Sequence, residues 1–296
     1  MVDETPPVIE TPYVRIATLE DVEGIVDVMC QAFKHDPVLN YLSNAPKLLD
    51  ETSDPKHHNH RRIFLRFLLK ASFLVDGRIT VVVDPNASSA NEGAPRERIV
   101  AAAYWLPPNK RLAVWMIPTI VRAGALAVVK VWGLKPKLLF QRMIFDYQET
   151  SHGQLHHAFK RKGTKKSIDD TWYLQMVGTD PEYQGRGLMS LLFREAYTHD
   201  PKSTYTLEAT TSKSRDQYAH LGFEDCISIN FGRGKADAQG LTAKGEKAVG
   251  LEIYGMIKVG TYFFFTISSS HRHHYNSIVV TRSTTIAPGK HRSASL

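Results

Sequence analysis

Along the first 259 residues, the spacing of hydrophobic residues switches repeatedly between a helical and an extended pattern. Apolar residues recur every three or four positions over residues 22–33, 63–75 and 188–197, the periodicity of one helix face. Short apolar runs such as residues 79–83 and 98–106 have the length and composition of strands. The chain is therefore predicted to alternate strands with helices.

Turn and capping residues bound these predicted elements. Thr18 is suited to cap the helix after the first strand, Asp36-Pro37 ends that helix, and Gly222 ends the last short helix. The predicted strands cover residues 14–16, 79–83, 98–106, 173–177, 204–209, 223–231 and 251–259. The predicted helices cover residues 22–33, 63–75, 112–132, 134–159, 188–197 and 214–221.

Residues 112–132 form the most apolar segment of the chain. A membrane-spanning helix needs about 20 apolar residues with few or no charges, and this segment contains Pro118, Arg122, Gly124 and Lys130. Charges at mid-span are costly in hydrocarbon. We therefore predict no stable membrane insertion and expect the segment to pack over the core or to form an apolar wall for a substrate. An interfacial helix remains an alternative.

The composition is typical of a globular protein from a reducing compartment. With 43% hydrophobic and 23% charged residues, 296 residues can bury a sizeable core. Two cysteines, Cys30 and Cys226, are too few for a disulfide framework. The chain opens with an acidic, proline-rich stretch rather than a basic, apolar leader. These features predict a cytoplasmic protein, with the nucleus as the other compatible compartment.

The basic net charge does not indicate a nucleic-acid binder. Of the formal net charge of +7, residues 260–296 contribute four basic residues and no acidic ones, which leaves +3 for the remainder. The one dense basic run, residues 160–166, has no interleaved aromatic residues and is predicted to be a solvated loop. We expect no nucleic-acid partner.

Three parts of the chain are predicted to differ in order. Residues 1–12 are predicted to be a flexible arm and residues 13–259 to be the folded domain. Residues 260–296 begin with an apolar stretch and continue as Ser, Thr, His and Arg without periodicity. This tail is predicted to be disordered or foreign to the evolved domain. Nothing in the sequence indicates an oligomeric state.

A glycine turn joins the strand before Asp180-Pro181 to the helix over residues 188–197. Gly185 and Gly187 lie immediately before this helix, and Arg186 stands between them. The first amides of a helix lack internal partners and attract anions, while glycines let phosphate oxygens approach the backbone. The spacing is neither that of a nucleotide P-loop nor that of a dinucleotide fingerprint. It predicts a pyrophosphate cradle of another type.

Two motifs resemble the landmarks of the GNAT superfamily of N-acetyltransferases. Gln184-Gly-Arg-Gly-Leu-Met resembles the acyl-CoA signature Gln/Arg-x-x-Gly-x-Gly/Ala, although Met189 replaces the small last residue. Tyr218-Ala-His-Leu-Gly-Phe resembles the second landmark, Tyr-x-x-Leu-Gly-Phe. The resemblance, closest to fungal-type members, implies an α/β (α+β) fold with a mixed, mostly antiparallel sheet flanked by helices. It also implies a helical insertion at about residues 110–165, between the third and fourth strands, which we expect to set acceptor specificity.

The resemblance further implies direct acetyl transfer from acetyl-CoA to an amine, or to a hydroxyl, of a small-molecule or peptide acceptor. Acetyl-CoA would be held by residues near the end of the signature strand and by the glycine turn. Tyr218 would protonate the departing thiolate. The predicted cofactor-binding residues are Val177, Thr179, Gln184, Gly185, Arg186, Gly187, Leu188, Met189 and Ser190.

The general base departs from the family pattern. Many members carry a glutamate four residues before Val177, where this chain has Tyr173. Glu208 on the next strand is predicted to replace that base, with Asp169 or Asp170 as more distant substitutes and a structural role as the other interpretation. Asp36 and Tyr173 are candidate acceptor-binding residues, although a capping aspartate is the plainer interpretation of Asp36.

A further alternative stays open at the level of sequence. A catalytically weak acyl-CoA-binding domain with a sensing or scaffold role would keep the fold and lose the chemistry. A metal site is not expected, because His57, His58 and His60 point in different directions on a helix and no carboxylate or cysteine partner lies nearby at ligand spacing.

Overall fold

The computed structural model describes residues 11–48, 54–87, 97–113, 115–132, 142, 147, 150–161 and 167–260. The predicted terminal arm, apart from residues 11 and 12, lies outside these residues. The same holds for the predicted tail after Gly260 and for nearly all of residues 134–149.

A seven-stranded mixed sheet forms the centre of the fold. Its order is β1-β2-β3-β4-β5-β7-β6, and every neighbouring pair is antiparallel except β4 with β5. The predicted α/β class and mixed sheet are thus confirmed. The strands are β1 Tyr13–Ile16, β2 Arg78–Asp84, β3 Arg98–Leu106, β4 Trp172–Thr179, β5 Tyr205–Ala209, β6 Glu224–Phe231 and β7 Leu251–Lys258.

Helices cover both faces of this sheet. Buried side chains of α1, α2 and α3 pack on one face, and those of α7 pack on the other, where Tyr218 of α8 also lies. The helices are α1 Val22–Ala32, α2 Pro37–Leu42, α3 Pro55–Leu74, α4 Ile117–Ala123, α5 Ala125–Trp132, α6 Thr150–Arg161, α7 Leu188–His199 and α8 Ser212–His220.

A β-bulge in β4 reverses the side-chain alternation of that strand. Tyr104 of β3 pairs with Met176, but the adjacent Trp105 pairs with Leu174, so Gln175 is the extra residue. Leu174 accordingly packs on the α7 side of the sheet and Met176 on the α1 side, although they are two residues apart. The bulge bends β4 shortly before the predicted cofactor-binding residues.

The predicted helix over residues 112–132 is wrong in its extent. The structure has two short helices, α4 and α5, separated by Gly124 with φ 108°. A left-handed residue cannot continue a helix, and glycine adopts this conformation without a Cβ penalty. Pro118 stands in the first turn of α4, where its missing N–H costs nothing.

Two other helix boundaries differ from the expectation. Helix α3 begins at Pro55, eight residues before the predicted start, because the Asp54 side chain accepts a hydrogen bond from the amide of His57 and caps it. The described part of the predicted helix over residues 134–159 is α6, which continues to Arg161. Among the described residues, no helix has the length and apolar character needed to cross a bilayer.

Candidate active site

The parallel pair β4 and β5 separates almost as soon as it forms. Only Trp172 with Tyr205 and Tyr173 with Thr206 are paired, after which β4 stays with β3 and β5 stays with β7. From Leu174 onward, the edge of β4 that faces β5 has no β5 partner. The fold therefore opens a notch between the two strands, and Val177 and Thr179 lie on its β4 side.

The glycine turn lies just after this notch. Gly185 and Gly187 have φ of 78° and 75°, and a Cβ placed on either would meet no heavy atom within 4 Å. Gly187 is the N-cap of α7, so the amides of the first helical turn lack intrahelical partners. This open, positively polarised backbone would fit a pyrophosphate. Side chains in place of the two glycines would fill the space that the pyrophosphate needs.

Aromatic and charged side chains support the turn. The Arg186 guanidinium lies 4.6 Å from the centre of the Tyr183 ring and donates to the Glu182 carbonyl at 3.0 Å. The Gln184 amide donates to the Thr179 carbonyl at 3.3 Å, which ties the turn to the end of β4. Among the other predicted cofactor-binding residues, Leu188 is buried in the core, and Met189 and Ser190 are partly exposed.

Tyr218 lies beside the core on the α7 side of the sheet. Its ring lies 5.9 Å from that of Phe193 and 6.2 Å from that of Phe223. Burial raises the pKa of its hydroxyl, and the charge of Asp36 raises it further. A tyrosine hydroxyl with an ordinary pKa of about 10 is already protonated at neutral pH, so Tyr218 has a proton to donate.

Glu208 and Tyr173 are brought together across the notch. The Tyr173 hydroxyl donates to the Glu208 carboxylate at 2.5 Å, and the Glu208 side chain is only 2% exposed. Burial first, and then the Glu208 charge, raises the pKa of Tyr173. The predicted base and the residue that occupies the usual base position thus form one hydrogen-bonded unit.

Two residues that sequence reasoning missed complete this unit. The Arg111 guanidinium lies 3.9 Å from the Tyr173 ring centre, donates to Thr206 at 2.9 Å and lies 4.0 Å from Glu208. Tyr147 is hydrogen-bonded to Tyr173, and burial followed by the Glu208 charge raises its pKa. No motif identifies either residue, because both belong to the insertion and reach the site through the fold.

Asp36 is the N-cap of α2 and also contacts Thr210, the residue that follows β5. Its carboxylate accepts from the Leu39 amide at 2.8 Å and from the Thr210 hydroxyl at 2.7 Å. Burial raises its pKa, and these hydrogen bonds oppose the rise. The capping interpretation therefore holds geometrically.

The remaining candidate bases and ligands have partners of their own. Asp169 is paired with His152 at 2.9 Å. His57 does have a carboxylate partner, since its ring lies 2.6 Å from Asp54, so the expectation that it lacked one is wrong. Within the described residues, no cluster of three or more His, Cys, Asp or Glu could hold a metal ion.

A cavity of about 560 Å³ lies beside α1 and not in the notch. Its lining mixes both charge signs, with Asp27, Arg62 and Asp180 among them. It includes neither Glu208 nor Tyr218. The diverging strands, the glycine cradle and the convergent polar groups mark the notch as the candidate active site in preference to this cavity.

Comparison with known proteins shows the fold and gives a relative of low identity. No protein-family model matches the chain. A probable serine/threonine-protein kinase of Dictyostelium discoideum is 24% identical over 204 residues, which cover 68% of this chain and 20% of that protein. The match therefore spans about a fifth of the length of that relative.

Solved structures share the architecture of this chain. A Corynebacterium glutamicum protein described as histone acetyltransferase HPA2 and related acetyltransferase has a TM-score of 0.50 and 20% identity, with 86% of this chain and 99% of that chain covered. The C-terminal condensation domain of Ebony, solved with beta-alanyl-dopamine, has a TM-score of 0.51 and 14% identity, with 85% and 100% covered. Together with the diverging β4 and β5, these similarities show that the chain has the GNAT fold of the N-acetyltransferases.

Proposed function

We propose that this protein is an acetyltransferase that moves an acetyl group from acetyl-CoA directly to an acceptor amine. One observation carries the proposal. The notch between β4 and β5 ends at a glycine turn whose backbone is open and which leads directly into α7. A strand edge without a partner can bind an amide-rich chain such as pantetheine, and the turn can bind the pyrophosphate at its end.

Acetyl-CoA would supply the activated acetyl thioester, and the chain would hold it by its backbone. The edge of β4 near Val177 and Thr179 would receive the pantetheine arm. Amides of residues 184–190 would receive the pyrophosphate, with Arg186 adding positive charge. The absence of a Cβ at Gly185 and Gly187 is the feature of this structure that fits the group.

The chemistry requires one proton acceptor and one proton donor. The acceptor ammonium must lose a proton before its nitrogen forms a bond to the acetyl carbonyl carbon. Glu208 is proposed to take that proton, directly or through the Tyr173 hydroxyl that is bonded to it. As the carbon–sulfur bond breaks, Tyr218 is proposed to return a proton to the coenzyme A thiolate.

The acceptor is proposed to be a small molecule or peptide that carries an amine. Arg111 covers one face of the Tyr173 ring, and Tyr147 adds a second aromatic ring to the surroundings of Glu208. A carboxylate beside aromatic rings suits an amine on an apolar body. We propose that the catalytic domain comprises residues 13–259 and is located in the cytoplasm or nucleus.

The test has two stages that use the full chain. Acetyl-CoA should raise the melting temperature, and coenzyme A release should follow when a panel of amines is added. Stabilisation without turnover on any amine would instead support the acyl-CoA-binding alternative with a sensing or scaffold role. No stabilisation at saturating acetyl-CoA would overturn the proposal.

A further inference from the structure

Helices α4 and α5 expose apolar side chains on the surface opposite their buried face. Ile117 and Val121 of α4 are 63% and 43% exposed, and Leu126 of α5 is 68% exposed. Trp115, which leads into α4, is 77% exposed. These four residues are called the apolar surface below. Large apolar side chains concentrated in twelve consecutive positions indicate a binding surface rather than scattered exposure.

The opposite faces of the same helices already belong to the core. Ala123 and Val128 are 3% exposed and pack in the cluster formed with α1 and α3. Ile120 and Val129 pack against that cluster as well. The packing of these two helices onto the core therefore does not use the apolar surface.

Basic residues accompany the apolar surface in the sequence of the two helices. Arg122 and Lys130 are exposed on the same helices, and neither forms a salt bridge with another residue that the structure describes. Residues 112–134, which include both helices, contain Arg122 and Lys130 and no acidic residue. An apolar face with cationic flanks is complementary to an anionic, partly apolar surface.

We propose that the apolar surface docks this protein peripherally on anionic phospholipid membranes. Trp115 and Leu126 would enter the headgroup region, and Arg122 and Lys130 would contact lipid phosphates. This docking does not require a spanning helix and is independent of acetyl transfer. It would place an acetyltransferase of apolar amines at the interface where such amines concentrate, an implication that rests on the proposed function.

The chain offers matched controls for the apolar part of this surface. Leu126→Ser is compared with Leu19→Ser, because Leu19 is 71% exposed but lies in the turn between β1 and α1. Both changes remove an exposed leucine, so neither should unfold the protein. Full-length protein is sedimented with vesicles of phosphatidylcholine alone or mixed with phosphatidylserine. Leu126→Ser should lower partitioning onto the mixed vesicles by about tenfold or more, since a leucine no longer leaves water, and Leu19→Ser should leave it unchanged.

The charge contribution has a matched control of its own. Arg122→Gln with Lys130→Gln removes two flanking charges, whereas Lys244→Gln with Lys247→Gln removes two exposed charges near the turn before β7. Each flanking charge should contribute about fivefold in partitioning, and added salt should reduce the difference. The Lys244 and Lys247 pair should have little effect.

Several results would overturn the docking proposal. Wild-type protein that fails to sediment with the mixed vesicles contradicts it directly, as does binding that Leu126→Ser and Leu19→Ser reduce equally. If size-exclusion chromatography shows a dimer that Leu126→Ser dissociates, a second copy covers the apolar surface instead. Stabilisation by acetyl-CoA is measured on the same variants, and its retention separates failure of docking from failure of the proposed activity.

Discussion

Replacing Gly187 by alanine tests the cofactor cradle with a control that the chain itself provides. Gly187 and Gly234 have φ of 75° and 77°, and an added Cβ at either position meets no heavy atom within 4 Å. Alanine should therefore cost the same left-handed backbone strain at both sites, about 1–2 kcal/mol. In a domain of this size, that strain lowers the melting temperature by about 2–8 °C.

The two variants should differ in their response to acetyl-CoA. At 100 times the dissociation constant, a ligand stabilises the native state by about 2.7 kcal/mol, which corresponds to roughly 5–11 °C. Gly234→Ala should keep this increment. At Gly187 the new methyl group occupies the space through which a pyrophosphate would approach the first amides of α7. If affinity falls 100-fold, the increment at the same concentration shrinks to about 0.4 kcal/mol.

The assay is thermal unfolding of wild type and both variants, each with and without acetyl-CoA. Equal losses of melting temperature without ligand would establish that the backbone strain is matched. If Gly187→Ala then retained the full acetyl-CoA increment, the glycine turn would be a structural turn and not a phosphate cradle. Loss of the increment in both variants would show that general destabilisation, not the cradle, controls binding.

Three further predictions concern the proton donor, the base and the buried aspartate. Tyr218→Phe keeps the ring contacts and should lower kcat about 100-fold or more in steady-state assays. The control is Tyr197→Phe, which loses only a hydroxyl bonded to the Leu221 carbonyl and should leave kcat nearly unchanged. Glu208→Gln should lower kcat by about 100-fold or more at neutral pH and leave acetyl-CoA stabilisation intact; unchanged turnover would reject its role as base. Because burial raises the native pKa of Asp36 above its usual 3.8, the native state holds this proton at pH values where the unfolded chain has lost it. The free energy of unfolding of wild type, relative to that of Asp36→Asn, should therefore fall as pH rises from about 3.8 through the raised native pKa. Above that pKa the difference should stay level. Denaturant unfolding across this range would refute the shift if the difference stayed constant or had the opposite sign.

The sequence by itself determined the features of this protein that depend on neighbours in the chain. Helical and extended spacing predicted all seven strands and helices α1, α3, α7 and α8, because each pattern reflects one face of one element. The sequence also predicted the glycine turn before α7, because the positive φ of Gly185 and Gly187 depends on a local property of glycine.

Only the tertiary structure decided how the site is assembled. The bulge at Gln175 and the separation of β4 from β5 depend on strand register, which no single segment specifies. The Glu208–Tyr173 hydrogen bond joins residues 35 positions apart, and Arg111 reaches both from the insertion. The packing of distant elements, and not local propensity, determines which of these side chains meet. A closely packed core accommodates only one such arrangement.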